Sequence, residues 1–329
     1  MVGKISLEVK NEGTECYSVP MSIKIDFKEH LGVARGDKFD PSAIRLIDKM
    51  TGEDVPCQFS PSSPDGLKGT LSWILSSHAQ KKLEIVLAKK EARHRCRRMK
   101  VAEMFDRGDG QLEIFVNGEH ITSYVYNDAY ERPFLYPVIG PDGLPVTRSV
   151  PCFGDHHHHK GINIAIGDVS GERSKPGVNF WALGEIGDPR AGRMIHQRFS
   201  RLEQGPVYAK IEEENIWKQN DELEGSSPWE QMARDRWKVK HEGAVLMTET
   251  RTITVWNVAP MRILDIHAVL TPAVDEIILN ADVEKKAMAK ENGPLAIRVA
   301  DNMRAAVAGT IVNSEGKRTE KEFQGDYCI

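Results

Sequence analysis

Short segments in which apolar and polar residues alternate recur along this chain of 329 residues, and they constrain its fold more than any other feature. The longest is residues 245–256, where Met247, Ile253 and Val255 alternate with threonines. A period of two places successive side chains on opposite faces of a β-strand. Gly, Pro, Asp and Ser separate the segments, as turns between antiparallel strands require. The pattern predicts an all-β protein.

The alternating segments divide the chain into two predicted domains. The first is a small antiparallel β-sandwich over residues 1–90, and its segments are 5–9, 19–27, 44–47, 71–75 and 83–87. A basic run follows, and we interpret residues 91–104 as a solvated linker. The pattern then continues to the end of the chain, so residues 105–329 form a larger β-sandwich. Because the sequence ends on apolar residues at the start of a further strand, we expect a domain truncated at its C-terminus.

Charge and hydropathy exclude several classes of function. The net charge is −4 with both signs interspersed, which disfavours nucleic acid as a partner. The basic run contains no interleaved aromatic residue on which bases would stack. Apolar stretches stay well short of the ~20 residues that span a bilayer, and the first residues alternate rather than form a signal peptide. We therefore expect a cytoplasmic protein without a membrane partner; its oligomeric state is left open.

Four consecutive histidines, DHHHHK at residues 155–160, are the strongest candidate for chemistry. Histidine titrates near neutrality and is the commonest metal ligand. In an extended strand, His156 and His158 share one face and would hold a divalent metal ion, with His196 or His267 as the third ligand. The same rings would alternatively serve as acid–base groups beside a sugar hydroxyl or carbonyl. A third alternative is a structural one, in which each ring bonds to backbone carbonyls.

Residues near the histidines are further candidates. Arg132 precedes a proline-fixed turn, where its forked guanidinium would orient a ligand. Tyr136 belongs to a group of aromatic residues that stack on a sugar or, more commonly, pack the rim of a sandwich. Asp168 lies beside a glycine, which is typical of a turn and only weakly indicates a site.

Several motifs resemble those of the PmoA-like family of bacterial proteins. They are RPFLYPVIGPDG at 132–143, TR at 147–148, DHHHHKG at 155–161, GDV at 167–169, NFW at 179–181 and IRVA at 297–300. The resemblance extends from about residue 110 to the end of the chain. It implies a galactose-mutarotase-like β-sandwich and a role in carbohydrate metabolism. It also implies an N-terminal β-sandwich domain of the kind that often precedes this module.

The resemblance also implies roles for individual residues. Asp155, His156, His158, His159 and Arg132 match its motifs, whereas His157 replaces a proline. Asn163 and Ile166 depart from the pattern, since members often carry an aromatic residue and a further histidine there. Losing that histidine weakens a purely local metal site, so the rest of the pocket would come from distant strands.

These observations together predict a carbohydrate-processing protein. His156, His158, His159 and Arg132 would be its catalytic residues, in acid–base chemistry of a lyase, hydrolase or isomerase type, assisted or not by a divalent metal ion. Asp155, Tyr136, Asp168 and Trp181 would bind the small carbohydrate ligand. A non-catalytic carbohydrate-binding module is the first alternative. The second is a metal-dependent oxygenase, which the usual family label "methane oxygenase PmoA" implies and which needs two histidines and a carboxylate at one open site.

Overall fold

The computed structural model of the protein describes the ranges 4–9, 18–33, 40–75, 82–87, 101–148, 159–171, 174–181, 190–223, 239–279, 294–304, 309–312 and 316–319, with the single residues 307 and 314. The prediction of an all-β protein is confirmed, because the described residues form antiparallel sheets with little helix. Among these residues, no helix is both long and apolar enough to cross a membrane.

Two small sheets at the N-terminus pack against each other. One has the strand order β1-β7-β3-β4 and the other β2-β6-β5. Their strands are β1 (Ile5–Glu8), β2 (Val19–Asp26), β3 (Ile44–Asp48), β4 (Asp54–Val55), β5 (Cys57–Pro61), β6 (Lys68–Leu75) and β7 (Lys82–Leu87). Leu46, Leu71 and Ile85 are fully buried in their shared core. Each such side chain contributes about 1.5–3 kcal/mol through burial.

A short helix, α1 (Phe27–Leu31), replaces the end of the second predicted strand. Asp26 caps it, since its carboxylate accepts hydrogen bonds from the backbone N–H groups of Lys28 and Glu29. Gly32 ends the helix in the left-handed conformation, with φ 64°.

The remaining strands build a larger sandwich. They are β8 (Ala102–Asp106), β9 (Gln111–Val116), β10 (Glu119–Val125), β11 (Phe134–Val138), β12 (Ile162–Ile164), β13 (Val169–Gly171), β14 (Ser174–Val178), β15 (Gly192–Glu203), β16 (Tyr208–Gln219), β17 (Glu222–Leu223), β18 (Val239–His241), β19 (Val245–Trp256), β20 (Leu264–Pro272), β21 (Ile277–Leu279), β22 (Leu295–Ile297), β23 (Ile311–Val312) and β24 (Arg318–Thr319). β8 begins within the last residues of the predicted linker.

The larger sandwich has the four-stranded sheet β15-β16-β19-β20 as one layer. The six-stranded sheet β22-β12-β11-β10-β9-β8 and the three-stranded sheet β14-β13-β21 supply the other layer. A first apolar cluster, including Ile114, Leu135 and Ile253, lies between the four- and six-stranded sheets. A second, including Phe180 and Trp217, lies where β13 and β14 face the four-stranded sheet.

The N-terminal sheets contact the larger sandwich through β5. The side-chain oxygen of Gln58 accepts hydrogen bonds from the backbone N–H groups of Val207 and Tyr208, at 3.2 and 3.1 Å. Ser60 donates to the carboxylate of Glu203 at 2.9 Å. These bonds join β5 to the hairpin of β15 and β16.

Candidate functional site

A cleft of about 140 Å³ lies at β12 and β22, the last two strands of the six-stranded sheet. Both polar and aromatic side chains line it. The lining residues are Arg132, His159, Asn163, Trp181, Ala296, Ile297 and Arg298. At ~30 Å³ per water molecule, this volume equals roughly five waters. The cleft is therefore large enough for about one small ring.

β-pairing brings distant parts of the sequence to the cleft. Asn163 on β12 is in register with Ala296 on β22. The pairing continues beyond β22, because the backbone N–H of Arg298 donates to the carbonyl oxygen of Gly161 at 2.8 Å. Asn163 and Arg298 thus line the same cleft although more than a hundred residues separate them in the sequence.

Arg132 holds the wall of the cleft that carries Trp181. Its Nη1 donates to the carbonyl oxygen of Phe180 at 2.7 Å, and its Nη2 donates to that of Trp181 at 2.8 Å. The guanidinium is 2% exposed, and burial lowers its pKa, an effect that the nearby carboxylate of Glu131 opposes. A rigid fork that binds two consecutive carbonyls fixes the backbone between them. Arg132 therefore positions Trp181 as well as lining the cleft.

His159 and Trp181 contact each other in the lining of the cleft. Their ring centroids are 5.8 Å apart and the ring planes are inclined by 77°, an edge-to-face contact. Both residues are half-buried. The pair presents an aromatic surface next to an imidazole whose ordinary pKa is close to neutrality.

The chain just after His159 is fixed by a buried lysine. Lys160 Nζ donates to Glu131 Oε1 at 2.6 Å and lies 5.6 Å from the centre of the Tyr130 ring. The carbonyl oxygen of Lys160 accepts from Asn163 Nδ2 at 2.8 Å. Both the side chain and the backbone of Lys160 are held, which restricts the backbone next to His159.

Gly161 has to be a glycine for the chain to pass this point. Its φ is +43°, which L-residues rarely adopt. A Cβ atom here would also collide with the carbonyl oxygen of Leu135 on the neighbouring strand β11. The close backbone approach at Gly161 thus sets the spacing between β11 and the chain at this residue.

A second polar constellation lies inside the sandwich, on the inner face of the four-stranded sheet. The carboxylate of Glu213 on β16 is fully buried. One of its oxygens accepts from His196 Nδ1 at 2.7 Å, and the other accepts from the hydroxyl of Tyr124. Burial, aided by the adjacent carboxylates, raises the pKa of Tyr124 well above its ordinary value although Arg251 opposes this.

An arginine continues this network across the sheet. Arg251 on β19 donates to the Tyr124 hydroxyl at 3.1 Å and to both oxygens of Glu249, at 2.7 and 2.9 Å. Trp217 Nε1 also donates to Glu249, at 2.9 Å. Burial acts to lower the pKa of Arg251, but Tyr124 and the carboxylates outweigh it and raise that pKa. We call the six residues His196, Glu213, Tyr124, Arg251, Glu249 and Trp217 the core network.

The structure brings three of the sequence-predicted site residues together. Arg132, His159 and Trp181 line the same cleft. The other candidates in the histidine segment, Asp155, His156, His157 and His158, lie outside the described residues. Within the described ranges, no three His, Cys, Asp or Glu side chains are grouped so that they would hold a metal ion.

The remaining candidates lie elsewhere. Tyr136 on β11 and Asp168 are half-buried, and neither lines the cleft. His196 belongs to the core network. His267 is exposed on β20, in register with Thr252, on the face of the four-stranded sheet opposite to the core network. The two histidines proposed as alternative third ligands thus occupy opposite faces of one sheet.

Sequence reasoning missed other residues of both constellations. Asn163 and Arg298 in the cleft are revealed only by the pairing of β12 with β22. Glu249 and Arg251 fall on the same face of the segment 245–256 as Met247. The alternation thus contains the signal that could have found them: charged residues at positions where apolar ones are expected.

The chain was compared with protein families, with curated proteins and with solved structures. Residues 111–326 match DUF6807, described as a family of unknown function. No curated protein matches the chain in sequence. One similar solved structure is a glycosyl hydrolase family 38 protein from Enterococcus faecalis, with a TM-score of 0.34, 9% identity, and coverage of 84% of this chain and 32% of that one. Another is an alpha-mannosidase from Enterococcus faecalis V583, with a TM-score of 0.30, 10% identity, and coverage of 83% and 30%. The chain thus spans about a third of the length of these distant neighbours.

Proposed function

We propose a function for this chain, which belongs to the family of unknown function DUF6807: its cleft binds a carbohydrate, and His159 exchanges a proton with the bound sugar. One observation carries the proposal. An indole and an imidazole meet edge to face in a ring-sized cleft whose other polar groups are an amide and two guanidiniums. The resemblance to PmoA-like proteins and the roles of His156 and His158 belong to the same proposal.

The lining matches the chemistry of a sugar. A sugar ring has an apolar face of C–H groups and an edge of hydroxyl groups, so its site needs an aromatic surface next to a few directional polar groups. Trp181 supplies the aromatic surface. Asn163 and Arg298 add hydrogen-bonding groups to the lining. Ala296 leaves room between them.

His159 is the residue of the described lining that is suited to proton transfer. As a base it would accept the proton from a carbon next to a carbonyl, and as an acid it would protonate a leaving oxygen. Both are steps of a lyase, hydrolase or isomerase acting on a sugar. Fixing the backbone at Lys160 limits the positions that the imidazole can occupy, which favours proton transfer at one substrate atom.

A non-catalytic binding module is the second candidate. Acid–base chemistry on sugars commonly uses a pair of carboxylates, and the described lining of the cleft contains none. In addition, the Arg132 guanidinium is engaged in holding the Trp181 wall. Both features favour retention of a sugar without turnover.

Binding is tested by calorimetric titration with a panel of hexoses, pentoses and hexuronic acids. We expect Trp181→Ala to weaken the binding of the sugar that wild type retains about tenfold or more, equivalent to ~1.4 kcal/mol. The matched control is Trp256→Ala. This indole lies on the four-stranded sheet, outside the cleft, and donates a hydrogen bond to Asp265 of the same sheet at 2.7 Å. Equal affinities of the two variants, or no binding by wild type, would refute the proposal.

Turnover separates the two candidate functions. Proton NMR in heavy water follows each retained sugar for loss of a C–H signal or for a new product. We expect wild type to change the sugar, and His159→Gln to bind within about threefold of wild type but leave the sugar unchanged. A wild-type protein that binds a sugar and alters none would establish the binding module instead.

A further inference from the structure

The core network ends at His196, and none of its members lines the cleft described above. We propose that His196 is the acid–base group of a second binding site, which takes a neutral ligand with hydroxyl groups and an apolar face, the chemistry of a sugar ring. Four features support this site: the tautomer of His196, the network that holds it, the aromatic rings beside it and a buried amide next to it.

The hydrogen bond to Glu213 defines the reactive atom of His196. A carboxylate only accepts, so Nδ1 carries the proton that is bonded to Glu213 Oε1 at 2.7 Å. The lone pair is then on Nε2, which has no hydrogen-bond partner in the described part of the chain. The His196 side chain is 15% exposed while Glu213 is fully buried, so the imidazole connects the network to solvent. This is the arrangement of a general base oriented by a carboxylate.

The rest of the network makes Glu213 a positioning residue. The Tyr124 hydroxyl bonds to the second carboxylate oxygen, and Arg251 bonds in turn to that hydroxyl. Glu213, Glu249 and Arg251 are buried charges, and removing each from water costs several kcal/mol. Apolar residues of the same size would pack there without this cost. The network therefore has a physical reason to exist if it holds one imidazole in a fixed tautomer and direction.

Two partly buried aromatic rings flank His196. The ring centroid of His196 is 4.6 Å from that of Tyr126 and 4.4 Å from that of Phe199. A register shift between His196 and Arg198 brings His196 and Phe199 to the same side of β15. The hydroxyl of Tyr126 donates to Asp106 at 3.3 Å. An aromatic rim with an exposed carboxylate suits the apolar face of a neutral sugar better than an anion.

A buried amide gives independent evidence for a polar ligand at this place. Asn215 is 1% exposed, and neither its Oδ1 nor its Nδ2 has a hydrogen-bond partner within the described ranges. In the sheet, Asn215 is directly opposite His196 on one side and Glu249 on the other. Leaving a buried amide unbonded costs about 1–3 kcal/mol. A hydroxyl group that reaches between His196 and Asn215 would satisfy both.

A ligand hydroxyl donates a hydrogen bond to His196 Nε2; when the O–H bond breaks, its proton passes to Nε2 and the electron pair stays on the ligand oxygen. The imidazolium that forms is balanced by the carboxylate of Glu213. Return of the proton to the same oxygen, or to a leaving oxygen of the ligand, restores the neutral ring.

The base character of His196 is tested with diethyl pyrocarbonate, which acylates unprotonated imidazole nitrogens. Mass spectrometry of the full chain follows each histidine. We expect Glu213→Gln to slow acylation of His196 about tenfold, because the amide no longer stabilises charge on the ring. Glu203→Gln is the control: it makes the same change at a largely buried carboxylate of the same sheet that pairs with Lys210 and lies outside the core network. Equal rates at His196 in the two variants would overturn the assignment.

The ligand class is tested by NMR of the imidazole nitrogens with D-glucose, D-galactose and D-mannose at ~50 mM, a concentration that reveals millimolar affinity. We expect at least one sugar to shift the His196 resonances in wild type, and Tyr126→Ala to abolish that shift. Failure of all three sugars to move the His196 resonances would overturn the ligand class. Shifts at His159 report on the cleft separately, so the two sites succeed or fail independently.

Discussion

The core network allows a prediction about stability whose magnitude follows from its contacts. Arg251 is 2% exposed and makes two charge-assisted hydrogen bonds to Glu249, at 2.7 and 2.9 Å. Each such bond contributes about 1.5–3 kcal/mol. Arg251→Met leaves Glu249 buried without its cation, and Glu249→Gln leaves Arg251 buried without its anion. We therefore expect each single substitution to lower the free energy of unfolding by about 3–5 kcal/mol.

The double variant is the decisive member of the series. Arg251→Met combined with Glu249→Gln removes both charges of this pair and keeps an acceptor for Trp217 Nε1, so neither member of the pair is left charged without its partner. Its loss should be smaller than the sum of the single losses by about 3 kcal/mol or more. The coupling measures the penalty of leaving one charge alone in the core.

Hydrogen exchange of the amides in β16 and β19 is the appropriate assay, because these strands carry the network at the centre of their sheet. A loss of 3–5 kcal/mol corresponds to exchange that is faster by about two to four orders of magnitude, since each 1.36 kcal/mol is a factor of ten. Losses that add within about 0.5 kcal/mol would refute the reasoning, because they would mean that the two charges do not depend on each other.

Two further predictions concern single positions. Burial lowers the pKa of His120 below its ordinary value of 6.5, against the opposing effects of Glu113 and the backbone of Thr122, so the unfolded chain binds this proton more readily. The stability that neutral His120 allows is therefore present above pH 6.5 and is lost as the pH falls below it. We expect His120→Gln to reduce the difference between the urea midpoints of unfolding at about pH 7.5 and about pH 5.5. An unchanged difference would contradict the predicted direction of the pH effect. Gly161→Ala should destabilise far more than Gly143→Ala: both positions have positive φ, but a Cβ meets the backbone only at Gly161. Equal melting temperatures of these two variants would show that the close approach is not limiting.

Much of the fold could be predicted from period-two alternation. The segment 245–256 coincides with β19, and the Asn117-Gly118 turn has positive φ at both residues, 57° and 83°, as a tight hairpin requires. In contrast, alternation does not reveal β15, because its irregular register shifts the phase of the pattern. It indicates little of β16 beyond the first residues, since Glu213 and Asn215 interrupt the apolar face with polar groups.

The candidate site could be predicted only in part, for a related reason. Arg132, His159 and Trp181 are near enough in sequence to be marked by their motifs, and the structure brings them together. Arg298 reaches the cleft through pairing of β22 with β12, and such long-range pairing has no local signature.

The central claim is that the cleft lined by His159 and Trp181 binds a sugar. The most direct measurement is a titration of the indole N–H resonances of the chain's six tryptophans with the panel of sugars. We expect the Trp181 resonance to shift in a saturable way, while those of Trp217, bonded to Glu249, and Trp256, bonded to Asp265, stay in place. A titration in which no sugar moves Trp181, or in which all three resonances move alike, would contradict the account.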